Sequence, residues 1–288
     1  MVGVAARDPQ GAALSAPPPE PPAPVEPVEP VFRRDGERFV PTVHARGPWD
    51  PGAQHGGAPA ALLAEAVREP GMHVARLTYD FVGPVPVDGP LRIETRLVRP
   101  GGRLQMVEAD LLSDDGAPVV RLRAVRLRRG EVAGLPEDAD GDAMPAGGPD
   151  TAEPSDFPLE APDAPGFHRT AMELRFAGGT SYGRGPGLTW FRFARPLVDG
   201  DAPSPLALVA AAADFGNGVS RILDFDRHLF VNTDLTIHLR REPVGEWVLL
   251  DARTRVEPQG VGVAASTLYD ERGSIGLAAQ SLYVAERG

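Results

Sequence analysis

Ser204-Pro205-Leu206-Ala207-Leu208-Val209-Ala210-Ala211-Ala212-Ala213-Asp214 spells a helix made of small and apolar residues with one acid at its end. Ser204 suits the N-cap, and Pro205 suits the first helical position, where its missing N–H costs nothing. Gly216-Asn217-Gly218 is expected to stop the helix, because glycine accepts the left-handed conformation that closes one. Asp214 then falls in the last turn, against the negative end of the helix dipole, where a carboxylate is disfavoured. Selection for stability alone rarely makes that choice. Asp214 is therefore the first candidate for chemistry.

Working outward, four strands are expected after this helix, at Leu229–Leu239, Trp247–Arg255, Val261–Tyr269 and Ile275–Ala285. The last carries a lone Gln280 among small and apolar residues. Two strands precede the helix, Thr170–Phe176 and Leu188–Phe193, joined by a glycine-rich hairpin loop from Gly178 to Gly185. The first half of the chain has the same plan. Gln54-His55-Gly56-Gly57-Ala58 leads into a small-residue helix from Pro59 to Arg68, stopped by Pro70-Gly71. Strands follow at Val74–Phe81, Leu91–Val98, Leu104–Leu112 and Val119–Arg128, with a turn at Asp114-Asp115-Gly116. A shift of 157 residues carries Pro86-Val87 onto Pro243-Val244, Arg96 onto Arg253, Leu111 onto Leu268 and Gly116 onto Gly273. Element order and turn positions repeat more than residue identities do, which reads as a duplication. The fold class is α+β. Each half is one helix buried by a curling antiparallel sheet, and the two halves pair sheet edges.

Composition narrows the chemistry. The chain of 288 residues has no cysteine and no lysine, which removes thiolate metal sites, a Cys nucleophile and Schiff bases. Nothing in the sequence calls for a metal or a cofactor. No apolar run approaches the ~18 residues of a membrane span. Residues 1–31 read as a proline-rich disordered tail without a signal-peptide core, and the expected location is cytoplasmic. The net charge of −11 is concentrated in residues 130–165, where ten acidic residues meet no basic one. That stretch reads as an extended linker between a first unit (32–129) and a second (166–288). The folded parts are nearly neutral, and no nucleic-acid partner is expected.

A helix wrapped by a curved antiparallel sheet, in tandem, resembles the double hotdog of the acyl-CoA thioesterase II family. His55-Gly56-Gly57 is similar to the helix opening of hotdog thioesterases. Asp214, the run Val231-Asn232-Thr233-Asp234 and Gln280 in Ala278-Ala279-Gln280-Ser281 resemble the second-half site of that family. The resemblance implies hydrolysis of a fatty acyl-CoA by a water held among an acid, a hydroxyl residue and an amide. Here Asp214, Asn232 and Gln280 take those positions, with Asn232 where the family has Ser or Thr. His55, Gly56 and Gly57 are expected to bind substrate, with backbone N–H groups at Gly56, Gly57 or Ala58 polarising the thioester carbonyl. Strand alternation puts Asn232 on the face of Asp234, Thr236 and His238, and Thr233 on the other. In the first half the position of the single-hotdog acid is Ala64, with Glu65 beside it. Arg240-Arg241 could meet CoA phosphates or simply face water.

Asn232 in place of a hydroxyl leaves a second reading open, a non-catalytic hotdog protein that binds an acyl or other hydrophobic ligand. A hydratase is disfavoured, because Asp214-Phe215-Gly216-Asn217-Gly218 does not supply the Gly-Asp-x-Asn-Pro-x-His run of the hydratase type. A homodimer of double hotdogs is expected.

Overall fold

The computed structural model of the chain describes residues 28–135, 143–155, 164–179 and 184–287. Most of the proline-rich tail, parts of the acidic stretch and the centre of the Gly178–Gly185 loop lie outside them. Two helices, α1 (Gly57–Ala66) and α2 (Pro205–Ala213), sit inside one antiparallel sheet of fourteen strands. From the centre outward, the first half supplies β3 (Met72–Phe81), β6 (Pro118–Arg128), β5 (Leu104–Leu112), β4 (Leu91–Arg99) and β2 (Arg38–Pro41). The second half supplies, in the same outward sequence, β11 (Asp234–Leu239), β14 (Gly273–Glu286), β13 (Val261–Asp270), β12 (Val248–Glu257) and β9 (Gly187–Phe193). β1 (Phe32–Asp35) flanks β2 at one edge, and β7 (Glu153–Pro154) and β8 (Met172–Gly179) extend the other. β3 and β11 join the halves with Thr78 opposite Thr236.

The helices are buried on all sides, because neither has a polar face: Ala58 through Ala64 and Leu206 through Ala213 are all in the core. They run antiparallel in contact. A Cβ on Gly57 would stand 2.8 Å from the carbonyl oxygen of Ala211, so glycine is what lets the backbones approach. Ser204 caps α2 as its sequence requires, its hydroxyl accepting the Ala207 N–H at 3.2 Å.

Several local expectations change. The helix α1 starts at Gly57, before Pro59. The glycines after Asp214 do not close α2 through a left-handed residue. Gly216 and Gly218 lie in a further short helix, α3 (Gly216–Val219), and neither has positive φ. Gly216 is small for a steric reason: a Cβ there would come within 2.9 Å of Gln280 Oε1. The chain from Phe167 to Ala171 forms a π-helical turn, and β8 begins only at Met172. Within the stretch read as a linker, Glu153–Pro154 pairs with β8, and Met144 and Ala152 pack beside Trp190 and Trp247. Val31, at the end of the stretch read as tail, is fully buried and donates its N–H to Pro196 O.

The strand expected at Leu229–Leu239 is broken at Thr233 into β10 (His228–Asn232) and β11. Asn232 opposes Leu282 while Thr236 opposes Ala279, so the pairing gains one residue at the break, which is a β-bulge. Asp234 holds it, Oδ1 accepting the Ser281 N–H at 2.7 Å, while Thr233 N–H donates to Ser281 O. The bulge reverses the alternation. Phe230, Leu235 and Ile237 are buried, Asn232 turns toward Asp214 on the interior, and Thr233 is exposed. The expectation that Asn232 shares a face with Asp234, Thr236 and His238 is thus corrected.

Candidate active site

The antiparallel pairing of the helices brings the end of α2 against the start of α1. Asp214 is the C-cap of α2, and Gly56 is the N-cap of α1. A Cβ on Gly56 would stand 2.9 Å from Asp214 Oδ2, so only glycine fits beside the carboxylate. The negative end of one helix disfavours the charge, while the positive end of the other favours it. The sequence shows the first effect only.

Asp214 is 4% exposed, so its carboxylate survives only with partners. It has them. Asn232 Nδ2 donates to Oδ1 at 2.8 Å, and Gln280 Nε2 donates to the Asp214 backbone oxygen at 3.1 Å and, more weakly, to Oδ1 at 3.4 Å. His55 Nδ1 lies 3.0 Å from Oδ2. Gln280 Oε1 in turn accepts the Asn217 N–H at 3.1 Å. The structure therefore brings together Asp214, Asn232, Gln280, His55 and Gly56, which stand far apart in the chain. The Gln280 amide is engaged at both ends.

His55 is more deeply involved than a substrate contact. Its ring stacks on Phe215 at 4.4 Å between centroids and packs near Phe167 at 5.3 Å. His55 Nδ1 also lies 3.0 Å from the Gly57 N–H nitrogen. One ring nitrogen cannot serve both neighbours: accepting from Gly57 needs a lone pair, and donating to Asp214 needs a proton. A proton on Nδ1 releases the Gly57 N–H. The Ala58 N–H is committed to His55 O, which removes it from the groups expected to meet the substrate. The Gly56 N–H has no partner among the described residues. His168 stacks behind His55 at 6.5 Å, and burial, followed by the charges of His55 and Arg169, pushes it down to about 3. It is neutral at working pH.

Other candidates lie elsewhere. Ala64 is buried, and the Glu65 carboxylate accepts the Ser204 N–H at 2.6 Å and pairs with Arg68. Arg241 is partly exposed and forms a two-pronged pair with the fully buried Asp270 at 2.5 and 2.6 Å. His238 is exposed. The link between His55 and Asp214 was not legible in sequence, because it depends on two helices running antiparallel. The signal that could have found it is a histidine two residues before the helix of the first half and an acid one residue after the helix of the second.

Comparison with known proteins bears on this arrangement. Residues 45–127 match the family model of the acyl-CoA thioesterase N-terminal domain, and residues 140–284 match that of the acyl-CoA thioesterase C-terminal domain. The chain belongs to the acyl-CoA thioesterase family. This thioesterase also resembles solved structures along most of its length. A provisionally assigned thioesterase from Novosphingobium aromaticivorans DSM 12444 is 25% identical with a TM-score of 0.65, covering 88% of this chain and 98% of its own. An acyl-CoA thioesterase II from Mycobacterium marinum is 16% identical with a TM-score of 0.61, covering 82% and 91%. A protein with a hot dog fold from Alicyclobacillus acidocaldarius is 20% identical with a TM-score of 0.64, covering 89% and 96%. No curated protein matches the chain at a significant level. The thioesterase is thus a thioester hydrolase with a hotdog-type α+β fold. None of its helices is long and apolar enough to cross a membrane, among the described residues.

Proposed function

We propose that this thioesterase is a tandem pair of hotdog units that hydrolyses fatty acyl-CoA at one composite site, with Asp214 as the base. The observation that carries the reading is the convergence of Asn232, Gln280 and His55 on the Asp214 carboxylate. Two side-chain amides donate to Oδ1, which leaves Oδ2, beside His55 Nδ1, as the oxygen that meets water. Water held at Oδ2 gives up a proton as its oxygen attacks the thioester carbon. The carbonyl oxygen becomes an oxyanion, met by the Gly56 N–H and, with a proton on His55 Nδ1, by the Gly57 N–H. Collapse breaks the carbon–sulfur bond, and the proton on Asp214 passes to the departing thiolate. The products are a carboxylic acid and free CoA.

In this reading Asn232 does not relay protons. It orients Asp214 and replaces a hydroxyl without changing which oxygen takes the proton. Val261, Val263, Leu277 and Tyr283, exposed on β13 and β14, give the expected homodimer an apolar face. The test is thiol release from a panel of acyl-CoAs by the folded protein. Turnover that disappears in Asp214→Asn supports the reading; no release from any chain length overturns the proposed substrate, and full activity in Asp214→Asn overturns the proposed base.

A further inference from the structure

The junction of α1 and α2 has a second end, where α1 finishes and α2 begins. Sheet registers identify what stands there at each position of the active site. The pairing of Thr78 with Thr236 carries Asn232 onto Val74 and matches Phe81 with Leu239. Leu77 opposes Ala124, and the same step places Gln280 at the position of Ala124. The helix caps match Asp214 with Val67 and Gly56 with Ser204. Beside Ser204, Val74 and Leu239 a cavity of about 540 Å³ is open. At the active end the corresponding corner holds the Phe81 ring.

Three contacts fix that ring. Leu77, Tyr79 and Phe81 share one face of β3, and Leu77 and Tyr79 are fully buried, so Phe81 turns inward at the last residue of the strand. Its N–H donates to Thr233 O at 3.0 Å, which ties the strand end to the bulge that turns Asn232 toward Asp214. Its tip stands at Gly56: a Cβ on that glycine would lie 3.1 Å from Phe81 Cζ, and 2.9 and 3.0 Å from the two carboxylate oxygens of Asp214. The acid, the Gly56 backbone and the phenyl ring thus meet at one point. The ring packs against the main core while remaining partly exposed.

We propose that Phe81 is a specificity-determining residue, the wall that confines the carbon next to the thioester carbonyl and rejects acyl groups branched there. This role rests on the reading of Asp214 and the Gly56 N–H given above. A carbonyl oxygen at the Gly56 N–H, with its carbon in reach of water on Asp214, leaves two substituents to place, sulfur and the α-carbon. Sulfur leads to CoA, whose charged phosphates stay in water. The α-carbon leads to an apolar chain, which gains by burial against the inward-facing ring. A hydrogen on that carbon fits beside the phenyl edge. A methyl group there forces the ring or the carbonyl to shift, and a shifted carbonyl leaves its donor. One carbon in an apolar pocket is worth about 10–200-fold in discrimination.

Thiol release from hexanoyl-CoA and from 2-methylhexanoyl-CoA, each with the full chain, tests this role. The wild type is expected to favour the straight ester at least about tenfold in kcat/KM. Phe81→Leu, which copies the residue at the other end, is expected to lower that preference about threefold or more, and Phe81→Ala to bring it within about twofold of parity. The ratio of two substrates on one preparation cancels the fraction of folded protein, so a merely structural role of Phe81 leaves the ratio unchanged. Should Phe81→Ala fail to fold, Phe81→Leu decides alone. A wild type that takes both esters equally overturns the proposal. So does a preference that survives the substitutions, which would put sulfur instead of the α-carbon against the ring. Turnover of neither ester by the folded wild type removes the proposed substrate, and this role with it.

Discussion

The two ends of the helix pair are built from corresponding strands and differ in what fills them. At one end Asp214 is caged by Asn232, Gln280 and His55; at the other, Val67, Val74 and Ala124 stand in the corresponding places. A buried carboxylate is costly unless every partner is present, so the cage must be complete or absent. The chain has one of each.

The hairpin turns of the two halves diverge in the same way. Asp115, in the first, is exposed and bonds only to Ser113 and the Ala117 N–H. Asp270, in the second, is fully buried. Burial alone would raise its carboxyl, but the Arg241 guanidinium and the N–H groups of Arg272 and Val244 outweigh that and hold it below the usual range.

The largest effect should come from Asp214→Asn, which removes the proposed base and is expected to lower kcat/KM about a thousandfold. Val67→Asp, placing a carboxylate at the opposite end, should add no activity; a thiol-release assay reads both. Next is Asp270→Asn, which leaves Arg241 against a buried neutral group. Urea unfolding should show a loss of about 3 kcal/mol, whereas Asp115→Asn should leave the midpoint nearly unchanged. Gly56→Ala drives a methyl into the Asp214 carboxylate and should cost about a hundredfold in kcat/KM. Ser204→Gly, at the matching N-cap, should leave activity alone.

A smaller effect distinguishes the halves by pH. His168 has a folded pKa of about 3, far below its unfolded value near 6.5. The unfolded chain takes up that proton first on acidification. The contribution of neutral His168 to stability is therefore complete above about pH 6.5 and is lost as pH falls toward 3, at up to about 1.4 kcal/mol per pH unit. His168→Gln should flatten that slope in unfolding curves taken from pH 7 to pH 4. The smallest effect is expected for Thr233→Ala. Thr233 is exposed and pairs only through its backbone, so activity within twofold of wild type supports the bulge, and a large loss would put Thr233 in the site instead of Asn232.

Much of the fold was legible in the chain because it depends on local chemistry. Ser204-Pro205 marks a helix start wherever it lies, unbroken alanines and leucines demand burial, and alternation with turn residues sets the strands. Those signals also exposed Asp214 and Gln280 as polar residues in apolar company. What lay outside reach was contact between distant segments. The sequence places Thr233 and Asn232 on opposite faces but contains no sign that an added residue reverses which face is inside. It shows Asp214 at an unfavourable helix end but not the favourable end of α1 that meets it, nor His55 at 3.0 Å. Periodicity is a property of neighbours along the chain, whereas a buried charge is settled by partners across space. The acid was written in the sequence; the cage around it was decided by two antiparallel helices and one bulge.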